Sequence, residues 1–216
     1  MTAVIYFLDI SSIEENSDYK KELDILPWRD RLDEINIQKN PGNRRRSIGA
    51  GLLLHYALRE AGAKDYSIAK NEFGKPYLIN EDISFNISHS GDAVICGVIR
   101  GKTDIGVDVE YIRKYNPAVF NRYFSEKEQK WAEKKFGNLK NVDEIYTRLW
   151  TLKESYVKMT GTGIEDNFSK IELSEVDACF HMFSLPDYCV SFCTNIETIV
   201  DFKPITLDKI CFYRYK

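Results

Sequence analysis

Asp108, Glu110, Glu154 and Lys158 are the residues of this chain whose types and spacing suggest chemistry. The first two lie in Gly106-Val-Asp-Val-Glu110, where apolar and acidic residues alternate. A period of two is the pattern of a half-buried strand, so both carboxylates leave the same face. The other two lie in Trp150-Thr-Leu-Lys-Glu-Ser-Tyr-Val-Lys158, which reads as helix and sets Glu154 and Lys158 on one face at i, i+4. Three carboxylates converging with an ammonium would make a hard-cation site with a phosphate clamp beside it. Oxygen ligands suit Mg²⁺, which commonly sits between one or two carboxylates and the phosphates of a substrate. Taken singly, each pair has a plainer reading. Glu154 with Lys158 would be a solvated helix pair, and Asp108 with Glu110 the polar face of an edge strand.

Three further segments ask for an anion. Phe85-Asn-Ile-Ser-His-Ser-Gly91 ends a predicted strand in small donors, and Ser88, His89, Ser90 and Gly91 could wrap an anion as backbone nests do. Phe73-Gly-Lys-Pro76 is a tight turn that presents Lys75. Arg44-Arg-Arg-Ser47 places guanidinium groups at a helix start, where the macrodipole favours anions. Ser125-x-x-Glu128, by contrast, is a capping-box pattern, which makes Glu128 structural. Trp150 reads as a packing residue that fixes the helix carrying Glu154.

The elements that must position these residues follow from periodicity and turn chemistry. Strands are expected near 2–10, 66–69, 83–89, 93–99 and 104–110, and helices at 44–61, 117–123, 125–136 and 142–160. Asn40-Pro41-Gly42-Asn43 is a turn signal in which Pro41 or Gly42 opens the helix that follows, and Gly161-Thr-Gly163 ends the last one. Residues 13–36 carry apolar residues at helical spacing, interrupted by Pro27. The tail from 170 onward returns to strands, with alternation in Ile210-Cys-Phe-Tyr-Arg-Tyr215. Strands and helices are interspersed in both halves, which predicts an α+β fold with antiparallel sheet. The division is expected near Gly101–Asp104, giving segments 1–103 and 104–216.

Composition excludes several classes. A net charge of −3 gives no broad electrostatic reason to bind nucleic acid or an anionic membrane. The apolar run Ile48–Leu54 contains two glycines and is far short of the roughly 18 residues of a membrane span. The N-terminus lacks the basic region and small-residue cleavage site of a signal peptide. The five cysteines are odd in number, form no Cys-x-x-Cys and sit in apolar stretches, which predicts reduced core thiols in a cytoplasmic protein. Three histidines without ligand spacing to a cysteine pair give no zinc signature.

Phe85-Asn-Ile-Ser-His-Ser-Gly, Gly106-Val-Asp-Val-Glu and Trp150-x-x-Lys-Glu-Ser-x-x-Lys, in this order, resemble the surfactin-type 4′-phosphopantetheinyl transferases. The likeness takes in the Gly-Lys-Pro turn and the Arg-rich helix start, and covers about residues 28–165. The resemblance implies two similar α/β halves related by a pseudo-twofold axis, each with a small, mainly antiparallel sheet packed on helices, with CoA in the cleft between them. It implies transfer of the phosphopantetheine arm of CoA to a serine of an apo acyl or peptidyl carrier protein, with Mg²⁺, and release of 3′,5′-ADP. Carried over by residue, Asp108, Glu110 and Glu154 are the metal-binding acids, Lys158 the pyrophosphate lysine, and Ser88 with His89 part of the CoA phosphate site. Lys75 and Pro76 form the adenine-side wall, and Arg46 with Ser47 contacts the 3′-phosphate. Glu154 is also the candidate base for the carrier serine, so Asp108, Glu154 and Lys158 are the expected catalytic residues. Two further basic positions common in the family fall here on Arg31, which keeps the charge, and Glu34, which reverses it; Arg29, Arg44 or Arg45 would substitute.

The fused-dimer resemblance predicts a monomer. Tyr115, Phe120, Tyr123 and Phe124 follow the acidic strand and would either form an apolar carrier-docking patch or pack a short helix. Two other activities fit parts of the pattern: a Mg²⁺-dependent nucleotide phosphohydrolase with water as nucleophile, and a non-catalytic CoA- or carrier-binding module. The second would be expected to lack Glu154 or Lys158.

Overall fold

Alternation in the sequence becomes two sheets that meet face to face, with a long helix on the outer side of each. The computed structural model describes residues 1–13, 29–137, 141–163 and 168–212, with the side chains of 29–31 and 212 outside that description. Its elements are β1 (Thr2–Asp9), α1 (Arg29–Ile37), α2 (Pro41–Glu60), β2 (Ile68–Lys70), β3 (Pro76–Leu78), β4 (Ile83–Ser90), β5 (Ala93–Arg100) and β6 (Ile105–Tyr111). They continue with α3 (Pro117–Tyr123), α4 (Glu126–Phe136), α5 (Val142–Thr160), a 3₁₀ turn at Phe168–Lys170, β7 (Cys179–Leu185), β8 (Tyr188–Thr194), β9 (Ile199–Ile205) and α6 (Leu207–Phe212).

The two halves repeat one topology. In the first, β1 leads through α2 to the β4–β5 hairpin, and β5 pairs antiparallel with β1. In the second, β6 leads through α5 to the β7–β8 hairpin, and β8 pairs antiparallel with β6. The two larger sheets have the orders β4-β5-β1-β9 and β6-β8-β7, and β2 with β3 forms a separate two-stranded sheet. This mixed α+β arrangement of small sheets on helices is the expected fold class. The chain from 199 onward returns to the first half, where β9 pairs in parallel with β1.

Burial follows the strand period. Tyr6 and Leu8 of β1 and Val94, Cys96 and Val98 of β5 face α2. Their neighbours Ile5, Ile95 and Ile99 turn the other way and meet Val107, Val109 and Phe192 between the sheets. A third cluster joins α3, α4 and α5 through Phe120, Ala132, Leu149 and Leu152. β5 is buried on both faces along nearly its whole length, as suits a central strand.

Local chemistry sets the helix limits. Asn40 caps α2 by accepting from Asn43 N, and Pro41 occupies its first turn. Ser125 and Glu128 form the expected capping box at the start of α4. Gly161 ends α5 in the left-handed region at φ 67°, which glycine adopts without cost from a Cβ. Of the cysteines, Cys96, Cys189 and Cys193 are buried and Cys179 is partly buried, all four as free thiols, and Cys211 is partly buried.

The expected strand at 210–215 is corrected: Leu207–Phe212 is a helix, and Tyr213–Tyr215 lie outside the described residues. Leu207 and Ile210, three residues apart, both join the α2 core, which is helical spacing. The expected helical pattern at 13–36 is seen from Arg29; Leu23, Leu26 and Pro27 lie outside the described residues.

Gly106 explains how α5 approaches β6. A Cβ there would lie 1.9 Å from Ser155 O and 2.4 Å from Met159 N, both backbone atoms of α5. Gly106→Ala therefore has to push the helix off the strand, and urea denaturation should show a loss on the order of 3 kcal/mol. A variant of unchanged stability would contradict this packing.

Candidate active site

The edge strand of one half and the edge strand of the other are joined by side chains. Asn86, Ser88 and Ser90 leave one face of β4, as residues two apart must, and each reaches β6. Asn86 Oδ1 accepts from Val107 N at 2.9 Å. Ser88 Oγ donates to Asp108 Oδ1 at 2.8 Å. Ser90 Oγ donates to Glu110 Oε2 at 2.8 Å and accepts from Tyr111 N at 3.2 Å. The serine hydroxyls thus serve the strand carboxylates, where the sequence suggested a cluster of donors open to an external anion.

α5 closes over the same row. Lys158 Nζ donates to Asp108 Oδ1 at 2.6 Å and to Ser88 Oγ at 2.9 Å. Asp108 is 1 % exposed, and its Oδ2 is buried with no hydrogen-bond partner among the described residues. Glu154, one turn before Lys158, is 8 % exposed. Burial pushes its carboxyl up to about 7; Lys158 pulls it down, while Asp108 and Glu110 add to the rise and a hydrogen bond with Trp150 opposes it. Glu110 is raised as well, by burial first and then by Asp108. Burial works against the charge on Lys158, yet Asp108 and Glu154 outweigh it and hold its pKa above the usual value. Asp108, Glu110, Glu154 and Lys158 therefore share one electrostatic environment. Among the described residues, no three His, Cys, Asp or Glu side chains gather into a metal-ligand cluster.

These four residues line a cavity of about 480 Å³. Ser88 and His89 line it too, His89 from the opposite, exposed face of β4. Its further walls are Gly74, Pro76, Asn86 and Ile87, and these continue into a neighbouring cavity of about 620 Å³ lined by Phe73, Lys75 and Gly161–Gly163. The space runs along the junction of the two halves.

Lys75 lies in that wall with its ammonium engaged. Its Nζ donates to Met159 O at 2.7 Å and Ile105 O at 3.2 Å, and burial lowers its pKa. Asn71 of the same turn donates to Gly161 O at 3.3 Å, so the Gly-Lys-Pro turn is tied to the end of α5. Arg46 sits at the β4–β5 turn, donating to Gly91 O at 3.3 Å and Asn43 Oδ1 at 2.5 Å, and Arg45 pairs with Asp92. Ser47 is buried in α2. The Arg31 side chain lies outside the described residues, although its backbone is in α1.

The sequence did not point to the support behind Glu154. Lys153 and Glu128 are both 0 % exposed and form an ion pair at 2.7 Å. Lys153 also donates to Tyr123 O at 2.9 Å and stands over the Phe124 and Phe168 rings, while Glu128 Oε1 accepts from Leu173 N. The capping glutamate of α4 thereby anchors the residue next to Glu154. A capping-box pattern carries no sign of such a partner. Phe120 and Phe124 are buried, and Tyr115 stacks on Tyr146 at 3.9 Å, so these aromatics pack α3 against α5.

Residues 104–193, which contain β6 and all of α5, match the sequence profile of the 4′-phosphopantetheinyl transferase superfamily. This segment belongs to that superfamily. The chain is 34% identical over 119 residues to the 4′-phosphopantetheinyl transferase gsp of Aneurinibacillus migulanus, covering 54% of this chain and 48% of that protein. It is 35% identical over 123 residues to a 4′-phosphopantetheinyl transferase of Bacillus subtilis, covering 52% and 53%. With the 4′-phosphopantetheinyl transferase HetI of a Nostoc species it shares 31% over 158 residues, covering 68% and 63%. The matched regions span about half the length of most of these phosphopantetheinyl transferases. No helix among the described residues is long and apolar enough to cross a membrane.

Proposed function

We propose that this protein transfers the 4′-phosphopantetheine arm of CoA to a serine of an apo acyl or peptidyl carrier protein, with Mg²⁺ as the metal. The observation that carries this reading is the meeting of Glu154 and Lys158 with Asp108, Glu110 and Ser88 on the wall of one cavity lined by both halves. The names of the relatives point the same way.

The donor types suit a hard cation, although the three carboxylates are not gathered into a ligand cluster among the described residues. The atoms are carboxylate oxygens, Asp108 Oδ2 is buried without a partner among the described residues, and Glu110 and Glu154, raised first by burial, are raised further by the neighbouring carboxylates. Asp108, Glu110 and Glu154 would hold the ion. When bound, Mg²⁺ would neutralise charge on the pyrophosphate during transfer.

The remaining chemistry belongs to the chain. Lys158 presents a fixed positive charge to the pyrophosphate, and Ser88 and His89 line the same cavity. The carrier serine oxygen bonds to the phosphorus that bears pantetheine, and the bond from that phosphorus to the bridging oxygen breaks. 3′,5′-ADP leaves with that oxygen. The serine proton passes to Glu154, directly or through water. Lys75 and Pro76 wall the adenine side, and Arg46 and Ser47, with Arg31 of α1, serve the 3′-phosphate. Both halves of the cleft come from one chain, so a monomer suffices. Free thiols suit a cytoplasmic setting.

Product analysis tests the reading. 3′,5′-ADP should form from CoA only when an apo carrier is present and should disappear with EDTA. Formation of nucleotide product without a carrier would favour the phosphohydrolase.

A further inference from the structure

The β4–β5 turn, Gly91-Asp92, is gripped from both halves. From the first half, Ile10 N donates to Asp92 O at 2.9 Å, Arg46 donates to Gly91 O at 3.3 Å, and Arg45 pairs with the Asp92 carboxylate. From the second half Tyr188 reaches across, and its hydroxyl oxygen accepts from Asp92 N at 3.0 Å. The approach is so close that a Cβ on Gly91 would lie 2.7 Å from that oxygen, and Gly91 itself sits at φ 56°.

Tyr188 is tied to the strand that carries the site acids. It opens β8 opposite Tyr111 at the end of β6, and their rings meet edge to face at 5.3 Å. Glu110 and Cys189 are the next pair of the same ladder. Ser90, beside the turn, completes the connection: its Oγ donates to Glu110 Oε2 at 2.8 Å and accepts from Tyr111 N at 3.2 Å. One hydroxyl makes both bonds only while the end of β4 keeps its place against β6.

Folding of the hairpin does not require Tyr188. The first-half contacts already hold the turn, and Tyr188 is only half-buried, so water can replace its hydroxyl at Asp92 N at little cost. What the hydroxyl adds is a fixed position of the turn relative to the other half. Groups used in chemistry need that, since they must be held within about 0.5 Å.

We propose that Tyr188 is a positioning residue: its hydroxyl fixes the β4–β5 turn against β6 and β8, so that Ser90 holds the Glu110 carboxylate in place for transfer. This rests on the phosphopantetheinyl-transfer reading of the site. Tyr188 does not line the cavity and acts through Ser90.

The test compares the wild type, Tyr188→Phe, Ser90→Ala and the double variant. The measurements are kcat at saturating CoA, carrier and Mg²⁺, calorimetric CoA binding, thermal unfolding and amide hydrogen exchange. Phenylalanine keeps the ring on Tyr111 and removes only the hydroxyl. Tyr188→Phe should lower kcat about fivefold, within the range of one neutral hydrogen bond, with CoA affinity and unfolding temperature near wild type. The Tyr111 amide should exchange severalfold faster, because its acceptor Ser90 is no longer held. In the Ser90→Ala background, Tyr188→Phe should cost nothing further. A folded Tyr188→Phe with wild-type kcat, or losses that multiply in the double variant, would overturn the proposal. Faster exchange confined to Asp92 would overturn it too, since the bond would then serve the turn alone. A wild type that binds CoA but modifies no carrier would remove the transfer reading instead, and with it the role given to Tyr188.

Discussion

Glu154→Gln should lower carrier modification by about 10²–10⁴-fold, the usual range for loss of a general base, while making the ligand-free protein more stable at pH 8. Both effects come from one buried carboxylate. Its folded pKa of about 7 lies above the ordinary value of 4.5 because burial disfavours the charged form. Between those values the folded protein holds a proton that the unfolded chain has released. Stability therefore falls as pH rises through that window, and the whole penalty is present above about pH 7. A displacement from 4.5 to about 7 corresponds to roughly 3 kcal/mol. Glutamine removes the charge and retains an oxygen for Trp150. Thermal unfolding should show the variant several degrees above the wild type at pH 8, with the gap closing toward pH 4.5. A variant less stable than the wild type at pH 8 would mean that Lys158 stabilises the Glu154 carboxylate more than burial disfavours it.

The largest stability effect is expected at Lys153. Lys153→Met leaves Glu128 charged, fully buried and without its cation, which should cost about 3–5 kcal/mol. The loss arises from the stranded carboxylate more than from the pair's own strength. Glu128→Gln added to Lys153→Met should therefore restore much of the stability, since the amide oxygen can still accept from Leu173 N. The double variant should also recover transfer activity if α5 is returned to its place. Additive losses in urea denaturation would show that the two residues act independently, contrary to the ion pair.

What the sequence revealed was local. Period-two alternation put Asp108 and Glu110 on one face, and one helical turn joined Glu154 to Lys158; these patterns need no knowledge of the fold. α3 and α5 have the expected limits because Asn116 and Asn141 cap their starts and Gly161 ends α5. Contacts across the chain were not legible. Lys153 and Glu128 are 25 residues apart, and residues of these types are ordinarily placed on the surface. Tyr188 and Asp92 meet only because the two halves pack together. Lys75 looked like a turn lysine open to a ligand, but docking of its turn on α5 puts its ammonium on backbone carbonyls. The last helix was read as strand because a short run of mixed apolar and polar residues satisfies both periods, and packing against α2 decides between them.

The most direct test is the intact mass of an apo carrier protein after incubation with this protein, CoA and Mg²⁺. The account predicts a gain of one phosphopantetheine on the carrier serine, lost with EDTA, slowed at least a hundredfold with Glu154→Gln, about the range for loss of a general base, and absent from a carrier whose serine is replaced by alanine. An unmodified carrier, from a folded protein that binds CoA, would contradict it.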